Sequence, residues 1–165
     1  MKLPAKLAPE SISVVVDSRE QTPWNLEPLR VEAGTLQTGD YSLAGDGLRD
    51  LIRIERKSLP DLIGVVGRDR ERFEREIERL AAFPTRVLIV EANWSEIEAG
   101  NWRGKTTPKM VRNSLGSWMT RGVNVVMAGT HDRAADIARE LLYRTAAHEY
   151  RKLRQMAAMI SGATQ

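Results

Sequence analysis

The run Ile12-Ser13-Val14-Val15-Val16 is apolar and β-branched, and its length predicts a short buried strand. Residues 1–11 before it hold two prolines and no repeating apolar spacing, and are expected to be a mobile lead-in. Thr22-Pro23-Trp24-Asn25 and Pro28 mark a loop. Leu29 to Leu36 follows as a second strand interrupted by Gly34, and Thr38 to Leu43 reads as a turn running into a third. Gly45-Asp46-Gly47 is a hairpin signal, after which Leu51-Ile52-Arg53-Ile54-Glu55 alternates as a fourth strand.

At Ser58 the spacing becomes helical. Leu59, Leu62, Ile63 and Val66 share one face of a short helix that Gly64 or Gly67 would end. Arg68 to Ala82 forms a second helix with Phe73, Ile77, Leu80 and Ala81 on one side, broken by Pro84. Arg86-Val87-Leu88-Ile89-Val90 is another buried strand, and Ser95 with Glu98 makes a capping box for a short helix ended by Gly100. Thr107-Pro108 opens the next helix, with Val111, Leu115, Trp118 and Met119 as its buried stripe and Gly122 as its C-cap. Val123 to Met127 is a final strand. A long helix runs from His131 to about Arg154, turning Ile137, Ala138, Leu141, Leu142 and Thr145 inward, and the tail from Ser161 to Gln165 is expected to fray. Strands first, then helix and strand in alternation, predict an α/β or α+β domain around a central mixed sheet. Its first part should lean antiparallel and its later strands should be joined by crossovers.

A length of 165 residues suits one domain, expected over 12–155 with a tail at 156–165. No apolar run approaches membrane length, the N-terminus has no hydrophobic signal core, and there is no cysteine. Disulfides, thiolate zinc sites and cysteine nucleophiles are thereby excluded, and a reducing cytoplasm is the expected setting. The net charge of +3 is mild, but arginine outnumbers lysine about three to one. Arginine's planar fork suits phosphate; a GC-rich coding sequence accounts for the bias equally well, so charge alone decides nothing.

Charge in the wrong place is more informative. Asp17 ends the first strand, Asp40 follows a glycine at the start of the third, and Glu55-Arg56-Lys57 ends the fourth. Side chains alternate along a strand, so Glu55 and Lys57 point one way and Arg56 the other. On neighbouring strands these ends would gather two or three carboxylates and one ammonium. Clustered carboxylates raise one another's pKa unless a cation neutralises them, and oxygen donors select Mg²⁺ or Mn²⁺. Each residue also has a plainer reading. Asp17 suits a turn with Ser18, Glu20 a surface charge, Arg56 a surface ion pair, and Asp61 a cap for the helix after Ser58. The alternating charges from Arg68 to Arg75 suit a solvated helix face, with Arg68 nearest the site. Gly100 to Thr106 ends like a phosphate loop but has too few residues between its glycines, so nucleotide binding is rejected. Trp102 there would stack on a base or pin its loop; Trp24 and Tyr41 are read as packing residues, and no metal role is expected of His131 or His148.

Val14-Val15-Val16-Asp17-Ser18-Arg19-Glu20, Gly39-Asp40-Tyr41, and Glu55-Arg56-Lys57-Ser58-Leu59-Pro60-Asp61 together resemble the nuclease domain of XPF-type structure-specific endonucleases, within the PD-(D/E)xK superfamily. Gly67-Arg68 and Val87 to Glu91 continue the likeness, which is detailed from Ile12 to Glu91 and looser to about residue 150. The resemblance implies a restriction-endonuclease-like α/β fold, a central mixed sheet flanked by helices. It also implies a Mg²⁺- or Mn²⁺-dependent DNA endonuclease acting on branched or flap structures, in DNA repair or recombination. By matching position Asp17, Asp40 and Glu55 would hold the metal and Lys57 would assist the attacking water. Glu20 would be a further ligand or support, and Arg19, Arg56, Asp61 and Arg68 would steady the site or contact DNA. Larger relatives add a tandem helix-hairpin-helix module, for which the residues after the last helix are too few. Duplex grip is therefore expected from a homodimer or a partner subunit, for which Leu141, Leu142, Met156 and Met159 of the last helix offer an apolar face, although core packing is the simpler reading of Leu141 and Leu142. A catalytically silent DNA-binding or scaffold subunit is the alternative, and a recombination or restriction nuclease with other targets a third.

Overall fold

In the computed structural model, which describes residues 3–162, the run of valines forms a strand inside a six-stranded mixed sheet. In chain order the strands are β1 (Ser13–Asp17), β2 (Arg30–Gly34), β3 (Tyr41–Leu43), β4 (Ile52–Ser58), β5 (Thr85–Glu91) and β6 (Asn124–Met127). They lie side by side as β2-β1-β3-β4-β5-β6. β1 is parallel to β2, β3 is antiparallel to both β1 and β4, and β4, β5 and β6 run parallel. The helices are α1 (Leu59–Val66), α2 (Arg70–Ala81), α3 (Trp94–Ala99), α4 (Pro108–Thr120) and α5 (His131–Gly162), after a 3₁₀ turn at Pro9–Ser11.

Two cores form, one on each face. α5 lays Ala134, Ala135, Ala138, Leu142 and Ala146 against Val14, Val16, Ile52, Ile54 and Ile89. Its small side chains let a helix lie close to the sheet. On the other face α1, α2 and α4 close over Leu88 and Val90 with Leu62, Phe73, Ile77, Leu80, Leu115 and Trp118. Phe73 meets Trp118 edge-on at 5.1 Å between ring centres. The alternation expected of β4 holds: Ile52 and Ile54 belong to the α5 side, while Lys57 lies over Phe73 of α2 and Arg53 over Phe83.

The mixed sheet and crossover-joined later strands are as the pattern predicts, and several details differ. β2 is a short exposed edge strand rather than the full Leu29–Leu36 run. The capping box of α3 is built by Asn93 and Glu96, two residues before the expected pair, because Asn93 sits extended where its oxygen accepts from the Glu96 N–H. Ser95 instead donates its hydroxyl to Asn93. Met119 is 44% exposed, since the α4 stripe ends at Trp118. On α5 it is Ala146 rather than Thr145 that reaches the core, and the helix continues past Arg154 through Gly162. Residues 3–11 of the expected mobile lead-in are held against α5: Pro4, Ala5 and Leu7 accept hydrogen bonds at their carbonyls from Tyr150, Arg154 and Tyr143. Residues 1–2, and 163–165 of the expected frayed tail, lie outside the described residues.

The turn into β3 depends on Gly39. Its φ is +73°, and a Cβ there would stand 2.7 Å from the Arg53 side chain and 3.0 Å from the Ile54 carbonyl. A side chain in that conformation costs about 1–2 kcal/mol before the clash is counted. Gly39→Ala should therefore lower Tm by roughly 2–8 °C, measured by calorimetry; an unchanged Tm would show that the turn can rearrange freely.

Candidate active site

Asp40 is fixed by the strands on either side of it. Its N–H donates to the Ile54 carbonyl at 2.8 Å, and its own carbonyl accepts the Asp17 N–H at 2.8 Å. Its Oδ2 then accepts the Arg56 N–H at 2.7 Å. The carboxyl is thus held at the point where β1, β3 and β4 meet. Lys57 forms an ion pair with Glu55, both largely buried, on the α2 side of β4. Phe73 lies 4.8 Å from the ammonium and forms part of its wall.

The polar cleft at this end of the sheet is about 300 Å³ and is lined by Asp17, Arg19, Glu20, Asp40, Arg56, Lys57 and Asp61, with Gln21 and Thr22. Glu55 is not part of that lining and is joined to it by its ion pair with Lys57. Burial pushes the Asp40 carboxyl up to about 6, against the pull of the Arg56 N–H and Lys57. Burial likewise raises Glu55 to about 7, opposed by Lys57. Burial works against the Lys57 charge, but Glu55 and Asp40 outweigh it and hold the ammonium above its ordinary pKa.

Asp17 stands apart from this group. Its Oδ1 accepts the Arg19 N–H at 2.9 Å and Nε at 2.7 Å, and its Oδ2 accepts the Leu36 N–H at 2.7 Å and Arg19 Nη2 at 3.1 Å. Those bonds, Arg19's first, lower its carboxyl to about 2. Both oxygens expected to bind metal are thus committed to protein donors. Among the described residues no three carboxylate, histidine or cysteine side chains stand together so as to hold a metal. The donor set beside the cleft is Asp40 and Glu55, hard oxygens that fit a cation retaining several waters, as Mg²⁺ does.

Arg56 points to the opposite face, as alternation requires. It binds Glu91 through Nε at 2.7 Å and Nη2 at 2.9 Å, and Glu20 through Nη1 at 2.9 Å. Glu91 also accepts from Trp24 Nε1 at 2.7 Å and lies 2.8 Å from His131 Nδ1. Burial would raise the Glu91 carboxyl, but Arg56, Trp24 and His131 together lower it. Trp24 stacks on Tyr41 at 4.4 Å, so this network ties the 18–29 loop to β3, β4, β5 and α5. Glu91 and His131 are the members that reading the sequence missed. Glu91 was detectable as a lone acid after four buried apolar positions; nothing local marks His131.

Asp61 both caps and lines. Ser58 Oγ donates to its carboxylate at 2.6 Å and accepts its N–H at 3.3 Å, while its side chain edges the cleft. Arg68 lies outside the cleft, in a basic hollow with Arg103 and Lys105. Trp102 pins its loop by donating to the Thr106 carbonyl at 2.7 Å.

The shifts of Asp40 and Asp17 have opposite consequences for stability. Asp40's raised pKa contributes stability that is full below about pH 4 and lost as pH rises through 6; Asp17's lowered pKa contributes stability lost as pH falls from about 4 to 2. In EDTA, Asp40→Asn should therefore gain Tm relative to the unsubstituted protein between pH 4.5 and pH 8. A difference constant across that range, read by differential scanning fluorimetry, would contradict burial as the cause.

No curated protein matches the chain. Among solved structures it is similar to XPF from Aeropyrum pernix, with a TM-score of 0.64 and 23% identity over 79% of this chain. It spans 59% of that chain's length, and the likeness is one of fold: a mixed sheet between helices. The ERCC4 domain family matches residues 16–141, from the end of β1 into α5 and across every cleft residue named above, and the chain belongs to that family.

Proposed function

We propose that this protein is a divalent-metal-dependent DNA endonuclease that hydrolyses phosphodiester bonds at branched or flap DNA, in repair or recombination. The observation that carries the reading is the convergence of Asp40, Glu55 and Lys57 at one cleft end, on a chain of the ERCC4 domain family. A Mg²⁺ or Mn²⁺ ion bound there would polarise the phosphoryl oxygen and lower the pKa of a bound water. Asp40 and Glu55 are the residues to hold it, and Asp17 joins them only if Arg19 releases its carboxylate.

Lys57 brings a fixed positive charge to the place where phosphate charge accumulates. Its low exposure makes that charge count for more than it would in water. Arg56 acts at a distance, since its side chain is taken up by Glu91 and Glu20 while its N–H orients Asp40. Arg68, Arg103 and Lys105 offer phosphate contacts beside the cleft. A second copy or a partner subunit would add duplex grip. No helix among the described residues is long and apolar enough to cross a membrane, and the cysteine-free composition suits work in the cytoplasm.

The silent DNA-binding or scaffold reading draws on the commitment of Asp17 to Arg19. A panel of linear, flap, fork and four-way DNA with Mg²⁺ or Mn²⁺ separates the two. Cleavage of at least one branched substrate is expected, and none of any substrate would leave the scaffold reading. Lys57→Ala should reduce kcat by about 10²–10³-fold with DNA binding retained; full activity would remove lysine from the chemistry. Mg²⁺ at ten times its Kd should stabilise the protein by about 1.4 kcal/mol, roughly 3–6 °C in Tm, and Asp40→Asn should abolish that shift. An equal shift in the variant would place the metal elsewhere.

A further inference from the structure

Arg53 is a buried charge with unused donors. Its side chain is 6% exposed, yet Nε and Nη1 have no hydrogen-bond partner among the described residues. The nearest carboxylate, Asp50, is 3.9 Å from Nη2 and itself 84% exposed. Burial lowers the Arg53 pKa, with Asp50 only partly opposing it. The guanidinium rests 4.3 Å over the Phe83 ring, and Gly39 crowds its stem, so the group is held in place without being neutralised. A guanidinium keeps its proton and offers five donors, and leaving them idle in a low-dielectric setting is unfavourable.

Arg53 opens on a hollow of about 460 Å³, lined also by Arg49, Arg79, Asp50, Thr35 and Thr38. Three arginines there face one aspartate. Arg79 is steadied by Glu76 and by a 3.2 Å bond from its Nε to Thr38, and Arg49 stands exposed at the rim. Thr38 lines this hollow and Asp40 lines the cleft, so the Gly39 turn separates the two. Arg53 and Glu55 occupy the same face of β4 two residues apart, about 7 Å along the strand. That separation is on the scale of one nucleotide.

We infer that this hollow is a phosphate subsite for the DNA strand, holding a backbone phosphate next to the one at Asp40 and Glu55, with Arg53 as its anchoring fork. The inference rests on the nuclease reading. Arginine's planar donors match two phosphate oxygens at once, and a turn of the side chain toward the hollow would bring Nε and Nη1, buried as they stand, to the acceptors that the fold leaves missing. The idle guanidinium then has a function: it is unfavourable in the free protein and satisfied in the complex.

The test compares the unsubstituted chain with Arg53→Leu, which removes the charge while keeping bulk, and with Arg49→Ala at the exposed rim. Binding of a fluorescent flap DNA is followed by anisotropy across a salt series without divalent metal. Tm is measured with inorganic phosphate against chloride at matched ionic strength. Arg53→Leu should keep or raise Tm, lose DNA affinity severalfold, and reduce the log–log salt slope by about 0.9, the value for one phosphate contact. Arg49→Ala should weaken binding in the same direction with Tm unchanged. Phosphate should raise the Tm of the unsubstituted protein and not that of Arg53→Leu. Unchanged affinity and slope in both variants would overturn the subsite and leave Arg53 a structural group satisfied by water. A phosphate shift without any effect on DNA binding would reduce it to a small-anion site, which also overturns the strand assignment. If the unsubstituted protein bound no DNA at all, the nuclease reading would fail first and the strand assignment with it.

Discussion

A charge buried in a sheet is costly unless it finds a partner on its own face, and Glu55, Arg56 and Lys57 of β4 do so in succession while Arg53 does not. Arg53, Glu55 and Lys57 look toward α2, while Arg56 looks toward α5. Glu55 and Lys57 satisfy each other. Arg56 needs Glu91 from β5 and Glu20 from the loop after β1, and Arg53 has almost nothing. The strand order follows this demand as much as it follows hydrophobic packing. β4 lies centrally, with β3 delivering Asp40 on one side and β5 delivering Glu91 on the other. Breaking a buried pair by removing one partner costs far more than the pair itself contributes. These partners therefore constrain the sheet as a set.

The two faces divide the work. On the α2 side, two carboxyls and an ammonium are buried together, and burial raises the pKa of both acids against the pull of Lys57. On the α5 side, Glu91 accepts from Arg56 and Trp24 and contacts His131, which joins two strands, a loop and a helix, and the stack of Trp24 on Tyr41 adds β3. Arg56 of that second group, with its partner Glu20, also lines the cleft. The Arg56 N–H donates to Asp40, which ties the group to the cleft through the backbone as well.

Much of this was legible in the residues. Asp40, Glu55 and Lys57 stand out because the period of two calls for apolar side chains where they are, and the helices beyond Ser58 follow from their spacing. What could not be read was long-range. Whether Asp17 keeps a free carboxylate depends on where Arg19 folds back and on the Leu36 N–H, nineteen positions away. His131 is forty positions from its partner Glu91. The lead-in lacks periodicity because it is held by its carbonyls, which carry no sequence signal. The α3 cap was misplaced for a local reason, since Asn93 and Ser95 are both good capping residues and only backbone conformation chooses between them.

The opposite pKa shifts of the acids alter how this end of the molecule looks to a polyanion. The carboxylates gathered here, Asp17, Glu20, Asp40 and Asp61 in the cleft wall with Glu55 beside Lys57, would by themselves repel a polyanion. Yet Asp17 is paired with Arg19, Glu20 with Arg56 and Glu55 with Lys57, and burial raises the pKa of both Asp40 and Glu55. The recess therefore presents less negative potential than its acids alone would give. Any long-range attraction of a polyanion is left to the arginines around it.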